Sequence, residues 1–144
     1  MADRTSSSIT IDAAAPEVMA VIADFPAYSE WAEGITSAEV VSEGADGRAE
    51  RVRITLEAGP IRDTYVLAYD WDGDEAVHWN LAESGTMLTG MTGAYRLDTR
   101  DGSTEVTYEL AVEVRIPMIG MVRRKAEKRI IETALKGLKR RVEG

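Results

Sequence analysis

Two hydrophobic periods alternate along this chain, and the places where one gives way to the other divide it into elements. Residues 8–12, SITID, alternate apolar and polar and predict a strand. AAAPEVMAVIADF follows with helical spacing: Val18, Val21 and Ile22 share one side, and Pro16 and Glu17 suit a first turn. Pro26 stops that helix, and PAYSEW predicts a second short one. From residue 36 the period becomes two. Turn signals at Asp46-Gly47, Gly59-Pro60, Asp72-Gly73, Ser84-Gly85 and Asp101-Gly102 cut the stretch into six segments, 37–44, 49–58, 61–71, 75–83, 86–99 and 103–116. Connections this short join antiparallel neighbours. In the last segment Val106, Tyr108, Leu110, Val112, Val114 and Ile116 take one face, while Thr107, Glu109, Glu113 and Arg115 take the other. One face is therefore buried and one is wet.

Past Pro117 the helical period returns. At about 100° per residue, Ile119, Val122, Ala126, Ile130, Ile131, Ala134, Leu135, Leu138 and Val142 occupy one broad side. Lys125, Lys128, Arg129, Glu132, Lys136, Lys139, Arg140 and Glu143 occupy the other. This is an amphipathic helix of about 24 residues, ~36 Å long, whose available partner is the apolar face of the sheet. The predicted class is α+β: a curved seven-stranded antiparallel sheet, two short helices after its first strand, and a long C-terminal helix. At 144 residues the chain has the length of one domain, 1–144, able to bury about two thirds of its unfolded surface.

That order of elements, with AAPEVMAVIADFPAYSEW near the start and IPMIGMVRRKAEKRIIETALKGLKRRVE at the end, resembles the START-like (Bet v 1-like, SRPBCC) superfamily. Its helix-grip fold serves Bet v 1-type allergens, polyketide aromatase/cyclases and coenzyme Q-binding proteins. The chain looks most similar to small bacterial polyketide cyclase/dehydrase-like and coenzyme Q-binding-like proteins, and the resemblance covers essentially its whole length. It implies a cavity for a hydrophobic small molecule and no particular reaction, because that superfamily shares a cavity and not a catalytic set.

Charge adds a second feature. Residues 115–144 hold ten of the 17 Lys and Arg against three acidic residues, +7 in all; residues 1–114 hold seven Arg and 22 Asp and Glu, −15. In a meander the turns at Asp46-Gly47, Asp72-Gly73 and Asp101-Gly102 share one end of the sheet, and KGLKRRVE would arrive beside them. A net charge of −8 repels nucleic acid over most of the surface, so no nucleic-acid partner is expected. Met118, Ile119 and Met121 beside Arg123, Arg124 and Lys125 form a candidate for transient membrane contact. A monomer or a dimer fits the pattern equally.

Most enzyme classes lose their chemistry here. The chain has no Cys and a single His, His78, whose strand parity turns it outward, so a metal site, a thiol nucleophile and a Ser-His-Asp set are all unexpected. No Gly-rich phosphate loop or nucleophile elbow is present; no cofactor is expected, and the catalytic residues are unknown. The lack of cysteine fits the cytoplasm. Asp63 and Glu83 have inward parity but lie near strand ends, where solvation is expected, and Arg123 with Glu127 is expected to form a rim ion pair. Gly90 and Gly93 are candidate bulge positions.

The inner face carries more aromatic surface than a minimal core needs, and the helix opposes it with Ala126, Ala134 and Gly137. Large residues facing small ones suggest a hollow. The expected ligand-binding residues are Trp31, Tyr65, Tyr69, Trp79, Met91, Tyr95, Ile130 and Ala134. The expected function is binding of a lipid, isoprenoid quinone or polyketide-like aromatic between sheet and helix. The alternative is an aromatase/cyclase-dehydratase that uses the cavity tyrosines, with Thr89 and Thr133 as further internal polar groups.

Overall fold

The period-two segments pair in sequence order, as their short connections require. The computed structural model describes residues 4–58, 61–115 and 120–144. Its elements are β1 (Thr5–Ile11), α1 (Ala15–Ala23), a 3₁₀ turn (Phe25–Ala27), α2 (Tyr28–Trp31), β2 (Ile35–Glu43), β3 (Ala49–Ala58), β4 (Ile61–Asp72), β5 (Ala76–Glu83), β6 (Leu88–Arg100), β7 (Ser103–Val114) and α3 (Gly120–Glu143). The seven strands form one antiparallel sheet in the order β1-β7-β6-β5-β4-β3-β2. β2 to β7 make an uninterrupted meander, and β1 closes onto β7 with Thr5 opposite Leu110 and Ile11 opposite Thr104. The Gly59-Pro60 turn, Met118 and Ile119 lie outside the described residues.

Parity decides most of the burial. On β7 Thr104, Val106, Tyr108, Leu110 and Val112 are buried, while each residue between them is partly exposed. Val66 and Ala94 have outward parity and are nevertheless buried. Each is small and sits in the register between longer neighbours, Val66 between Arg53 and Glu83 and Ala94 between His78 and Glu109. Long side chains with apolar stems can cover a short one in that position. His78, on the same outer face, is half-buried.

α3 lies along β1 and β7 and against α1, while the 3₁₀ turn and α2 cover β2 at the opposite edge. Ile131, Leu135 and Leu138 carry the helix onto the sheet and are at most 2 % exposed. The sector of α3 that the sheet buries is narrower than the apolar arc of the sequence. Val122 and Ile130 are 47 % and 45 % exposed, and Ala126 is exposed as well. The expectation that Ile130 faces the sheet is corrected: its neighbour Ile131 points inward, which turns Ile130 about 100° away.

The far end of α3 is fastened by polar contacts. Glu143 accepts from the backbone N–H of Asp12, and Lys139 donates to Glu143 and to the carbonyl of Thr10. Arg141 pairs with Glu30 of α2 at 3.0 Å. The described ion pairs of this helix end go to Glu143 and Glu30, while its contacts with Thr10 and Asp12 lie at the end of β1 that faces Thr104, next to the Asp101-Gly102 turn. The 72–75 turn is instead held by Arg48, which donates to Gly73 and Asp74 and lies over the ring of Trp71.

Candidate functional site

Sheet register places the inward aromatic residues of four strands side by side. Tyr69 stands opposite Trp79, and Tyr95 opposite Tyr108. Ring centroids are 5.7 Å apart for Tyr69–Trp79, 5.5 Å for Trp79–Tyr95 and 4.6 Å for Tyr95–Tyr108. Phe25 extends the row, 4.9 Å from both Tyr69 and Tyr28, and Tyr28 lies 4.9 Å from Trp31. The result is a continuous aromatic wall from α2 to β7. Each such pair contributes about 0.5–1.5 kcal/mol beyond the area it buries.

Two glycines permit this arrangement. A Cβ on Gly93 would run into the indole of Trp79, so that ring occupies the space a side chain on β6 would take. Gly93 is thus a close-approach position, whereas Gly90 adjoins the register shift between Leu88 and Gly90. On α3, a Cβ at Gly137 would stand 2.7 Å from the carbonyl oxygen of Trp31. The helix therefore crosses the end of α2 at backbone contact.

Of the residues expected to line a cavity, Tyr65, Trp79 and Tyr95 are buried. Trp31, Tyr69, Met91 and Ala134 are half-buried and packed against the core. Ile130 is not part of this group. Phe25, Tyr28 and Tyr108 join it without having been expected there. Tyr108 was within reach, because its inward parity on the last strand is the argument that selected Tyr65. Thr89 is exposed and does not face the interior.

Most polar atoms of the wall are donors without an acceptor among the described residues, and Tyr28 is the exception. Tyr28 donates its hydroxyl to the carbonyl of Ile22. The hydroxyls of Tyr65, Tyr69, Tyr95 and Tyr108 make no hydrogen bond to a described residue, and none is sealed from solvent-sized space. The indole N–H of Trp31 is sealed and also lacks a partner among the described residues. Burial pushes the Tyr65 phenol up to about 12, and the Asp63 carboxylate adds to the shift. Tyr69, Tyr95 and Tyr108 are raised by burial first and by neighbouring phenols second. All four therefore remain neutral hydrogen-bond donors near neutral pH.

The two interior carboxylates are already engaged. Asp63, expected to be solvated, is 7 % exposed. Its Oδ1 accepts from the N–H groups of Thr64 and Thr86, and its Oδ2 from those of Met87 and Leu88. Burial alone would raise this carboxyl, but the four backbone donors outweigh it and hold the group below its ordinary value. Gly85 makes room, since any Cβ there would collide with the carboxylate. Glu127 is 0 % exposed and does not form the expected pair with Arg123. It accepts from Thr5 Oγ1 at 2.6 Å and from the N–H of Val112 at 2.8 Å. β1 begins opposite Leu110, so Glu127 serves a β7 donor that lies beyond the described end of β1.

The concavities of the described surface include the following two. One, of about 510 Å³, is lined by Asp72, Glu75, Arg96 and Asp98 at the acidic end of the sheet. The other, of about 490 Å³, lies between Glu30, Trp31, Gly137, Arg140 and Arg141. Trp31 is the one expected lining residue that borders either.

The fold is shared with solved proteins. A START superfamily protein from Mycobacterium smegmatis has a TM-score of 0.91 at 23% identity, with 98% of this chain and 97% of that one covered. The Zhui aromatase/cyclase from a Streptomyces species has a TM-score of 0.82 at 18% identity, over 99% and 94%. A protein from Thermus thermophilus has a TM-score of 0.80 at 25% identity, over 97% of each chain. No protein of curated function matches the sequence. Residues 2–143 match the family described as polyketide cyclase/dehydrase and lipid transport, and the chain belongs to that family.

Proposed function

We propose that the protein binds a hydrophobic small molecule between the aromatic wall and α3, with Trp31, Tyr65, Tyr69, Trp79, Met91, Tyr95, Tyr108 and Ala134 as its contacts. The observation that carries this reading is the set of four tyrosine hydroxyls with no acceptor among the described residues. These hydroxyls are free to donate, so a ligand that brings oxygen acceptors gains about 0.5–1.5 kcal/mol net from each hydrogen bond it accepts. The aromatic rings supply apolar area, and the hydroxyls select for oxygen. Among a lipid, an isoprenoid quinone and a polyketide-like aromatic, the last two carry ring oxygens suited to such donors. Lipid transport in the family description leaves a simple lipid as the ligand to compare against them.

The cyclase-dehydratase alternative needs a base to take a proton from carbon. Phenols raised by burial keep their protons, and Asp63 and Glu127 already accept from protein donors. These facts favour binding over proton abstraction.

The test is a fluorescence titration with a naphthoquinone and an isoprenoid quinone. Binding should quench Trp79 and Trp31 in the wild type. Ala134→Phe should abolish the quench with the melting temperature unchanged or higher, because filling a true hollow adds contacts. In a filled core the same change costs about 1–3 kcal/mol. A lower melting temperature with unchanged quinone binding would return these residues to plain core. Tyr65→Phe and Tyr95→Phe should each weaken binding by up to about tenfold, the worth of one hydrogen bond. Loss of turnover of a polyketide substrate in either variant, with binding retained, would establish the cyclase reading instead.

A further inference from the structure

The first half of α3 presents an apolar stripe that the fold does not cover. Val122, Ala126 and Ile130 are spaced i, i+4, i+8 and so lie on one line along the helix. Val122 is 47 % exposed and Ile130 is 45 % exposed, and Ala126 is exposed between them. Met121, 72 % exposed, stands at the start of the same helix.

Charge says what could cover this stripe. Arg123, Arg124, Lys125, Lys128 and Arg129 supply five cations in seven residues. The one acid among them, Glu127, is turned inward onto Thr5 and Val112. None of the five cations forms an ion pair with a described residue. Eight other Lys and Arg side chains do pair with described residues, Lys139 and Arg141 farther along α3 among them, whereas Arg51, Arg115, Lys136 and Arg140 do not. Lys125 and Arg129 immediately precede Ala126 and Ile130, so they flank the stripe along its length. An apolar line edged by unneutralised cations, on a protein whose residues 1–114 carry −15, has the chemistry of an interfacial helix.

We propose that the exposed face of α3 around Val122, Ala126 and Ile130 docks the protein on an anionic lipid bilayer. The contact is peripheral, since no described helix is long and apolar enough to cross a membrane. A second copy of this chain is a poorer occupant, because a symmetric pairing of this face would set the flanking cations Lys125 and Arg129 against their own copies. The acidic remainder of the molecule is repelled by the same lipid surface, which fixes the orientation with α3 downward. This inference stands apart from the identity of any interior ligand.

The experiment is co-sedimentation of the full chain with vesicles of phosphatidylcholine alone and of phosphatidylcholine with a one-third share of phosphatidylglycerol. Binding is expected to the anionic vesicles and not to the neutral ones, and it should fall steeply as salt is raised. Each Lys or Arg near an anionic surface contributes about 1 kcal/mol, roughly fivefold, so Lys125→Gln with Arg129→Gln should weaken binding about 25-fold. Val122→Ser with Ile130→Ser should weaken it about tenfold or more. Both pairs are exposed, and an unchanged melting temperature will confirm that the variants fold. No sedimentation with anionic vesicles at low salt overturns the proposal whatever the variants do. So does binding that survives both pairs of substitutions. A concentration-dependent dimer abolished by the serine pair would assign the stripe to self-association, and capture by an acidic protein without lipid binding would assign it to a protein partner. Either result also overturns it.

Discussion

Asp63 is the residue whose role the sequence concealed most completely. Its inward parity points to the interior, but its position near the start of β4 reads as solvated. What buries it is the connection between β5 and β6, whose backbone N–H groups at Thr86, Met87 and Leu88 all turn toward its two oxygens. The sequence shows Ser84-Gly85 as a turn but not the direction of its donors. Asp63→Asn should therefore be costly: the amide presents one acceptor oxygen, and an NH₂ group then faces backbone donors. We expect about 1–3 kcal/mol of destabilisation for the donors left unpaired. The pH dependence gives the sign. Asp63 has its folded-state value depressed, so its contribution is full above the unfolded value and is lost as pH falls through the folded one. Melting temperatures of wild type and Asp63→Asn should differ most near neutrality and converge in acid. A gap that stays constant down to the acid limb would show that the carboxylate is not the source of the effect.

At the scale of elements, β2 to β7 were legible to within about two residues, because one buried face enforces alternation and five turn signals punctuate it. β1 starts at Thr5, three residues before the alternation that marked it. Two departures have physical causes. The register shift between Leu88 and Gly90 breaks parity within β6, so Leu88 is buried, Thr89 is exposed and Met91 resumes the inward set. Counting backward from Tyr95 without the shift turns Thr89 inward, in error. The second departure concerns α3, where the apolar arc of the sequence is broader than the surface available to cover it. An arc tells which residues can be buried, and the partner decides which are. Gly137 marks where that partner comes closest. Ala is favoured over Gly inside a helix by about 0.8–1.0 kcal/mol, so Gly137→Ala would ordinarily stabilise. Here the added methyl meets the carbonyl oxygen of Trp31 at 2.7 Å, and backbone cannot swing aside as a side-chain tip can. The substitution should lower the melting temperature and loosen the contact between α3 and α2. A higher melting temperature would mean that the helix can shift without loss, and that its seat on α2 is soft.

For the molecule as a whole, the segregation of charge has two accounts, one for each half of α3. The second half is tied down through Lys139, Arg141 and Glu143, as a helix end lying on its own protein should be. In the first half Arg123, Arg124, Lys125, Lys128 and Arg129 form no ion pair with a described residue. Between the helix and the sheet lies the other whole-molecule property, an interior holding all five of the chain's tyrosines. Each phenol is raised above its ordinary value, with burial as the first cause, and Tyr28 shares the effect with the four of the wall. Raised phenols stabilise the fold fully below the unfolded value of about 10, and that stability drains away as pH climbs through the folded values. For Tyr65 that value is near 12. A spectrophotometric titration of the native protein should therefore stay flat where free tyrosine ionises. It should then rise in one step that coincides with loss of the near-ultraviolet circular dichroism of the packed aromatic wall. In denaturant all five should ionise together near the ordinary value. If two or more phenols instead titrate near the ordinary value of about 10 while the dichroism is intact, those hydroxyls reach bulk water in the native state. The interior would then be a wet cleft, and a ligand would have to displace water to reach the tyrosines.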